Sequence, residues 1–281
     1  MTQRTSSILE TATPPVGSPS GLRSRRSLLG QTAYLRDVTL HLVRRDFTTR
    51  HRGSLLGWLW ALAPALLQLG VTFFVFTKVL GLHQPNYPVF LLTGILAWNW
   101  FARSLLLGVY ALEGRRELAM RPGFPMLILP VSAALIGLLD YVITLPVLLI
   151  AIAVGPGLHP SALMLPVPVL IQLVLSVGLC WILAPLQVYY RDVGHFVGIA
   201  VLLGFWITPI WYTRDKVPSE FMIIYRLNPM THLIEAQRAL LLEGKLPTAQ
   251  QLGFVAIGAV VTTVLGYILL TRLRDSVPER M

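Results

Sequence analysis

Apolar residues in this chain come in long blocks, not in alternation. A helix needs about 20 apolar residues to cross a bilayer. Six stretches qualify: 55–80, 89–112, 126–154, 162–188, 193–212 and 252–270. They predict an all-α integral membrane protein with six transmembrane helices. The third and fourth stretches carry Pro130, Pro146, Pro166, Pro168 and Pro185. Membrane helices tolerate proline but kink or break at it, so the boundaries there are loose.

Two weaker patterns flank the blocks. Residues 32–52 predict a helix with Leu35, Val38 and Leu42 on one face and Leu40, Val43 and Phe47 on another. With basic residues present and a span following, this reads as an amphipathic helix lying in the membrane interface; a solvated juxtamembrane helix is the competing reading. Between the fifth and sixth blocks, residues 217–244 are half apolar but too short and too charged to span twice. Asn228-Pro229 cuts them into two short helices, the second with Leu233, Ala236, Leu240 and Leu241 near one face. Short re-entrant helices packed on other spans fit this pattern; a helical hairpin on the surface is the alternative.

Residues 1–30 are rich in Ser, Thr, Pro and Gly, with Arg23, Arg25 and Arg26. They lack the apolar region of a signal peptide and read as a disordered basic tail. The remainder, 31–281, reads as one membrane domain.

Composition supports the class. Of 281 residues, 54% are hydrophobic and 13% charged, against about 25% charged in soluble domains. The net charge of +10 does not imply nucleic-acid binding, because the basic residues cluster beside the spans, where they set topology and meet anionic lipid. Arg44, Arg45, Arg50 and Arg52 crowd just before the first span, and no further Lys or Arg follows until Lys78. With both termini on the cytoplasmic side, the inner segments hold nine Lys or Arg before the first span, three in 113–125, Arg191, and three at the C-terminus. The outer stretch 213–250 holds five. The basic excess therefore places both termini inside, in a multi-pass protein of the plasma membrane.

Candidate chemistry is sparse. Cys180 is the single cysteine and lies in an apolar run, which excludes an intramolecular disulfide and a cysteine metal site and suggests a small buried hydrophobe. Gly244-Lys245 is followed by Leu246, so there is no nucleotide-binding P-loop, and no His-Glu-x-x-His motif occurs. The inner loops offer only Glu113, Glu117 and Asp192 as carboxylates. A membrane transferase would call on more of them to hold a metal and act as base. The chain is expected to be no enzyme, with no metal and no cofactor of its own, so uphill transport would draw its energy from a partner or an ion gradient. Arg103 and Asp140 fall within spans, where ionisable residues mark functional candidates. The offset between them is one an Arg side chain can bridge, predicting an intramembrane pair between the second and third spans.

Several blocks together resemble a known family. RRDFTTRHRGSLLGWLWALAP, ELAMRPGFPMLILPV, YYRDVGHFVG with TPIWY, and LNPMTHLIEAQRALLLEGKLP occur in the order found in the permease subunit of bacterial ABC exporters for lipid-linked polysaccharides, a family that exports O-antigen, teichoic acid and galactan. The match runs from Leu35 to Pro247. The resemblance implies a homodimeric channel in the inner membrane with two ATP-binding cassette subunits on its cytoplasmic face, and ATP and Mg in those partners. It implies that residues 113–120 couple to the ATPase, with Glu113, Arg115, Arg116, Glu117 and Arg121 as contacts. It implies external gate helices at 217–244, marked by Asn228, Pro229, Glu235 and Arg238. It also implies that a lipid-pyrophosphate headgroup enters near Arg44, Arg45, Arg50 and Arg52, which forked charge-assisted bonds would suit. Topology and anionic lipid are an equal claim on those arginines.

Rings offer flat apolar faces to sugar C–H groups, so Phe73, Phe74, Phe76, Phe101 and Trp206 are candidates to line a channel. The 20 arginines among 23 basic residues hint at a GC-rich genome and, with it, a galactan cell-wall precursor. Two other readings stay open: a membrane-embedded glycosyl- or phosphotransferase acting on a polyprenyl carrier, and a permease for another amphiphile or drug.

Overall fold

The computed structural model describes residues 28–51, 62–81, 85–274 and 276–277. Most of the basic tail lies outside them. All regular structure among the described residues is helical. In chain order the helices are α1 (Leu28–His51), α2 (Ala63–Phe73, continued by a π-helical turn over Phe74–Val79), α3 (Tyr87–Val109), α4 (Arg116–Ala119), α5 (Ile128–Val154), α6 (Pro166–Tyr189), α7 (Val193–Ile207), α8 (Met222–Leu227), α9 (Pro229–Leu241) and α10 (Ala249–Leu273).

Four helical segments are long and apolar enough to cross a membrane by themselves: Tyr87–Val109, Ile128–Val154, Pro160–Tyr189 and Ala249–Leu273. The remaining two predicted spans form shorter apolar helices, Ala63–Val79 and Val193–Ile207. The start of the first, 55–61, lies outside the described residues. The apolar run of the second extends to residue 212, but α7 ends at Ile207. Pro209 is the reason: the residue before a proline is pushed out of the α region, and Thr208 is extended. At ~1.5 Å per residue, a helix of 15 residues rises about 22 Å, short of the roughly 30 Å hydrocarbon core.

α3 is the hub. It packs against α2, α5, α6, α7 and α9, and its residues from Val89 to Trp98 are all buried. α10 docks mainly on α6 at very close range. A Cβ on Gly178 would fall 2.6 Å from the Thr263 backbone, and one on Gly266 2.5 Å from the Gly178 carbonyl. Small residues that let helix backbones touch are the usual basis of packing in lipid, where apolar burial alone drives little. Cys180 is fully buried, its thiol 3.2 Å from the Ser104 carbonyl.

A second apolar cluster gathers at the end of the bundle that carries α1. Leu42 is buried there with Leu112, Ala119, Met126, Ile128 and Leu129, and Val38 packs alongside. Leu35 and Leu40 are exposed. The helix therefore has a docking face running through Val38 and Leu42, and the face through Leu40 points away.

Candidate functional site

Three places concentrate polar side chains: the turn beside α1, the interior between α2, α3 and α5, and the opposite end of the bundle around α9.

The turn between α3 and α5 starts with a single 3-10 turn, Glu113–Arg115, and continues as α4. Arg116, Glu117 and Arg121 are exposed and free to meet a soluble partner. Arg115 is not. Its guanidinium pairs with Asp46 of α1 and donates to Ser132 Oγ of α5 at 2.7 Å, and its side chain is only 15% exposed. Arg115 was expected as a partner contact; within its own chain it ties three elements together. Asp46 continues the docking face of α1, one helical turn beyond Leu42. Glu113, although exposed, accepts from Gln187 Nε2 at 3.3 Å, while Gln187 Oε1 accepts from the Gly194 amide at 2.6 Å. That joins the turn to the α6–α7 connection. On α1, Arg44 and Arg45 are exposed. The Arg50 side chain and all of Arg52 lie outside the described residues.

In the interior, Arg103 Nε lies 2.5 Å from Asp140 Oδ2, linking α3 to α5. The pair stands in a cleft of about 390 Å³ that also presents Gln68, Asn99, Tyr141 and Thr144. Asn99 Nδ2 donates to Gln68 Oε1 at 3.1 Å, joining α3 to α2.

At the other end, α9 enters the bundle against α3, α6 and α10. Asn228 caps it, accepting from the Met230 amide at 3.0 Å, and Pro229 takes the first helical position, where its missing N–H costs nothing. Asn228 Nδ2 also donates to Thr208 Oγ1 at 2.9 Å. Arg238 is 5% exposed. It donates to the carbonyls of Pro209 at 2.6 Å, Ile210 at 2.6 Å and Phe90 at 3.1 Å, and its guanidinium carbon lies 3.4 Å from the centre of the Phe90 ring. These contacts explain how irregular backbone after α7 is tolerated: Ile210 is fully buried, and its carbonyl would otherwise lack a partner. Gly94 makes room, since a Cβ there would fall 2.7 Å from Arg238 Nη2. Glu235 is half-buried. Burial raises its carboxyl above the ordinary range, opposed by Arg214, His232 and Arg238.

A buried polar chain continues inward from α9. Tyr141 Oη donates to Gln237 Oε1 at 3.0 Å, Gln237 Nε2 to Gln172 Oε1 at 3.2 Å, and Gln172 Nε2 to the Ala97 carbonyl at 2.9 Å. By contrast, α8 leaves Ile223, Ile224 and Leu227 exposed.

Of the candidate aromatic residues, Phe74 and Trp206 are exposed. Phe73 and Phe76 are half-buried, Phe76 meeting Trp211 edge-on at 5.0 Å. Phe101 is 8% exposed and packs on Trp98 at 5.7 Å. It is a core residue of α3 in this chain.

The sequence reading missed the uncharged amides Gln68, Asn99, Gln172, Gln187 and Gln237. An isolated amide in an apolar run was the available signal, and attention to ionisable residues alone passed over it.

Comparison with known proteins places these features. Residues 38–242 match the family model described as ABC-2 type transporter. An O-antigen export system permease protein RfbA of Myxococcus xanthus is 35% identical over 230 residues, covering 80% of this chain and 88% of that protein. The protein of the same name from Klebsiella pneumoniae is 29% identical over 244 residues, covering 86% and 93%. The polysialic acid transport protein KpsM of Escherichia coli is 23% identical over 229 residues, covering 80% and 89%.

Proposed function

The chain belongs to the ABC-2 type transporter family, and from that premise we propose that it is the permease subunit of an ATP-driven exporter that moves a lipid-linked polysaccharide out across the inner membrane. The observation that carries the reading is the anchored turn at the α1 end. Arg116, Glu117 and Arg121 form an exposed charged surface on a segment held rigid by Arg115, Asp46 and Ser132. A lever on a soluble partner needs both properties. Relatives named as O-antigen export permeases support the cargo class.

In this reading the functional unit is a homodimer with two ATP-hydrolysing subunits, and both termini face the cytoplasm. The six apolar stretches cross the membrane. ATP and Mg act in the partner subunits, whose closure is passed through α4 and its neighbours to the spans. Arg44 and Arg45 meet the anionic headgroup, or hold the lipid surface beside it. The glycan then passes between protomers along exposed rings such as Phe74 and Trp206. The helices α8 and α9 form the outer rim, with Asn228, Pro229 and Arg238 fixing α9 against the 208–212 segment. Among such cargoes the arginine-rich composition favours a galactan cell-wall precursor, which the lipid-linked intermediate accumulating on depletion would identify.

The test is co-purification of an ATPase subunit. The pair of substitutions Arg116→Glu and Glu117→Arg, with Arg115 kept, should sever the partner and leave the permease folded. A complex that assembles, hydrolyses ATP and exports unaltered with both changes refutes the coupling assignment.

A further inference from the structure

The cleft between α2, α3 and α5 is left unexplained by the coupling turn and by the outer helices. It lies well inside the apolar depth of the bundle. Arg103 stands about 9 Å of helical rise from the Val109 end of α3, and Asp140 about 18 Å from the Ile128 end of α5. Polar groups at such depth are costly when they face hydrocarbon. Here the Arg103 side chain is 37% exposed, and Gln68 and Asn99 bond each other at the cleft wall. The volume, about 390 Å³, falls in the range of small-molecule sites.

The chemistry of the lining selects the ligand. Asp140 already neutralises Arg103, so the cleft carries no surplus positive charge, and an added anion would meet the carboxylate as well as the guanidinium. A hydrocarbon tail would leave two amides and an ion pair without solvation. A neutral polyol fits: carboxamides donate and accept at once, and the charged pair offers acceptors and a planar fork of donors. Trp100 and Tyr141, packed on each other at 5.1 Å, are buried behind the polar lining and give it a rigid floor.

We propose that this cleft is a binding site for a glycosyl unit carried on a lipid. The lipid would hold the sugar within the membrane on the α1 side, at the level of Arg103 and Asn99. Naming that sugar as part of the exported cargo rests on the exporter reading; the site itself does not.

The test uses the full complex in nanodiscs with Leu106→Cys. Leu106 lines the cleft and is 39% exposed, and the change leaves every polar group in place. Cys180 is fully buried and will not compete for a maleimide. The probes are octyl β-glucoside, octyl phosphate and tetraethylene glycol monooctyl ether. At about four times its Kd a bound probe slows labelling about fivefold. The glucoside should do so and the other two should not. Adding Gln68→Leu or Asn99→Leu should abolish the protection, with Leu246→Cys, exposed in the connection between α9 and α10, as the folding and accessibility control. Equal protection by phosphate or ether overturns the proposal, as does protection by none. Protection that survives both leucine changes overturns it too. If the Leu106→Cys thiol does not label without probe while the Leu246→Cys control does, the cleft is covered in the complex, which also overturns it. The exporter reading fails separately: a chain that binds glucoside but retains no ATPase subunit keeps the site and loses the transport role.

Discussion

Replacing Asp46 with Ala leaves the Arg115 guanidinium half-enclosed, with Ser132 as its remaining side-chain partner among the contacts described above. The cost can be bracketed. Fully exposed ion pairs contribute about 0.2–1 kcal/mol, and breaking a buried pair costs about 3–5 kcal/mol. Here the side chains are 15% and 29% exposed, and Ser132 keeps part of the guanidinium satisfied. A loss of about 1–3 kcal/mol in the docking of α1 follows from those limits. Local opening speeds amide exchange by the same free energy, so exchange over residues 38–49 should rise about 5- to 150-fold. The Asp46→Ala chain in nanodiscs, read by hydrogen-exchange mass spectrometry, measures this directly. Arg115→Lys should fall between wild type and Asp46→Ala, because an ammonium keeps the charge but loses the fork. The exchanged pair Asp46→Arg with Arg115→Asp should recover part of the protection but not all, since Ser132 loses its donor. If Asp46→Ala leaves exchange unchanged while Leu42→Ala accelerates it, apolar packing alone holds α1 and the clasp carries no weight.

Three further outcomes follow from the α9 end of the bundle. Gly94→Ala drives a Cβ to 2.7 Å from Arg238 Nη2 and should cost about 1–3 kcal/mol, read as a lower melting temperature of the detergent-solubilised chain. Asn228→Ala removes the cap of α9 and the bond to Thr208 together, a loss of about 1–2 kcal/mol, and Asn228→Asp, which keeps the capping oxygen, should recover most of it. Glu235 binds its proton more tightly in the folded chain than in the unfolded one, because burial raises its carboxyl. Its contribution to stability therefore falls as pH rises from the ordinary value near ~4.3 through the raised one, and Glu235→Gln should remove that part of the pH dependence from the thermal melting curve; identical slopes would refute it.

Four of the six predicted spans were legible because a bilayer demands a run of apolar residues, and length alone then finds them. The charged pair Arg103–Asp140 was legible for a related reason: two ionisable groups in apolar runs have few alternatives to each other. The role of Arg115 was not. In the sequence it is one of two adjacent arginines on a charged turn. Only the packing of α1 decides that Arg115 turns inward to Asp46 while Arg116 faces solvent. The end of α7 could have been read from Thr208-Pro209, since proline disfavours the helical region at the residue before it, but the apolar run continues to Tyr212 and hides the break. Phe101 illustrates the converse limit: an aromatic ring in a span can serve packing or a pore equally well, and the chain gives no periodic signal that separates them.

Arg238 shows why the α8–α9 segment needs its particular residues. A short helix that enters the bundle without crossing it leaves backbone groups at both of its approaches, and α7 adds more by stopping early. Buried inside the bundle, such groups are out of reach of water and costly if left unpaired. The guanidinium answers three carbonyls from two separate segments at once, which a lysine, as a compact point charge, cannot match with the same geometry. Gly94 and the Phe90 ring complete its socket. The polar chain from Gln237 through Gln172 to Ala97 ties the neighbouring position of α9 to α6 and α3. Movement of α9 as a gate would have to break both sets together, so any opening at this end should move α9 and the 208–212 segment as one body, hinging on the exposed and weakly packed α8 instead. Disulfide trapping gives the discriminating measurement. A cross-link between α9 and the 208–212 segment should leave export intact, whereas one between α8 and α7 should arrest it; the reverse result would place the moving part in α9 itself.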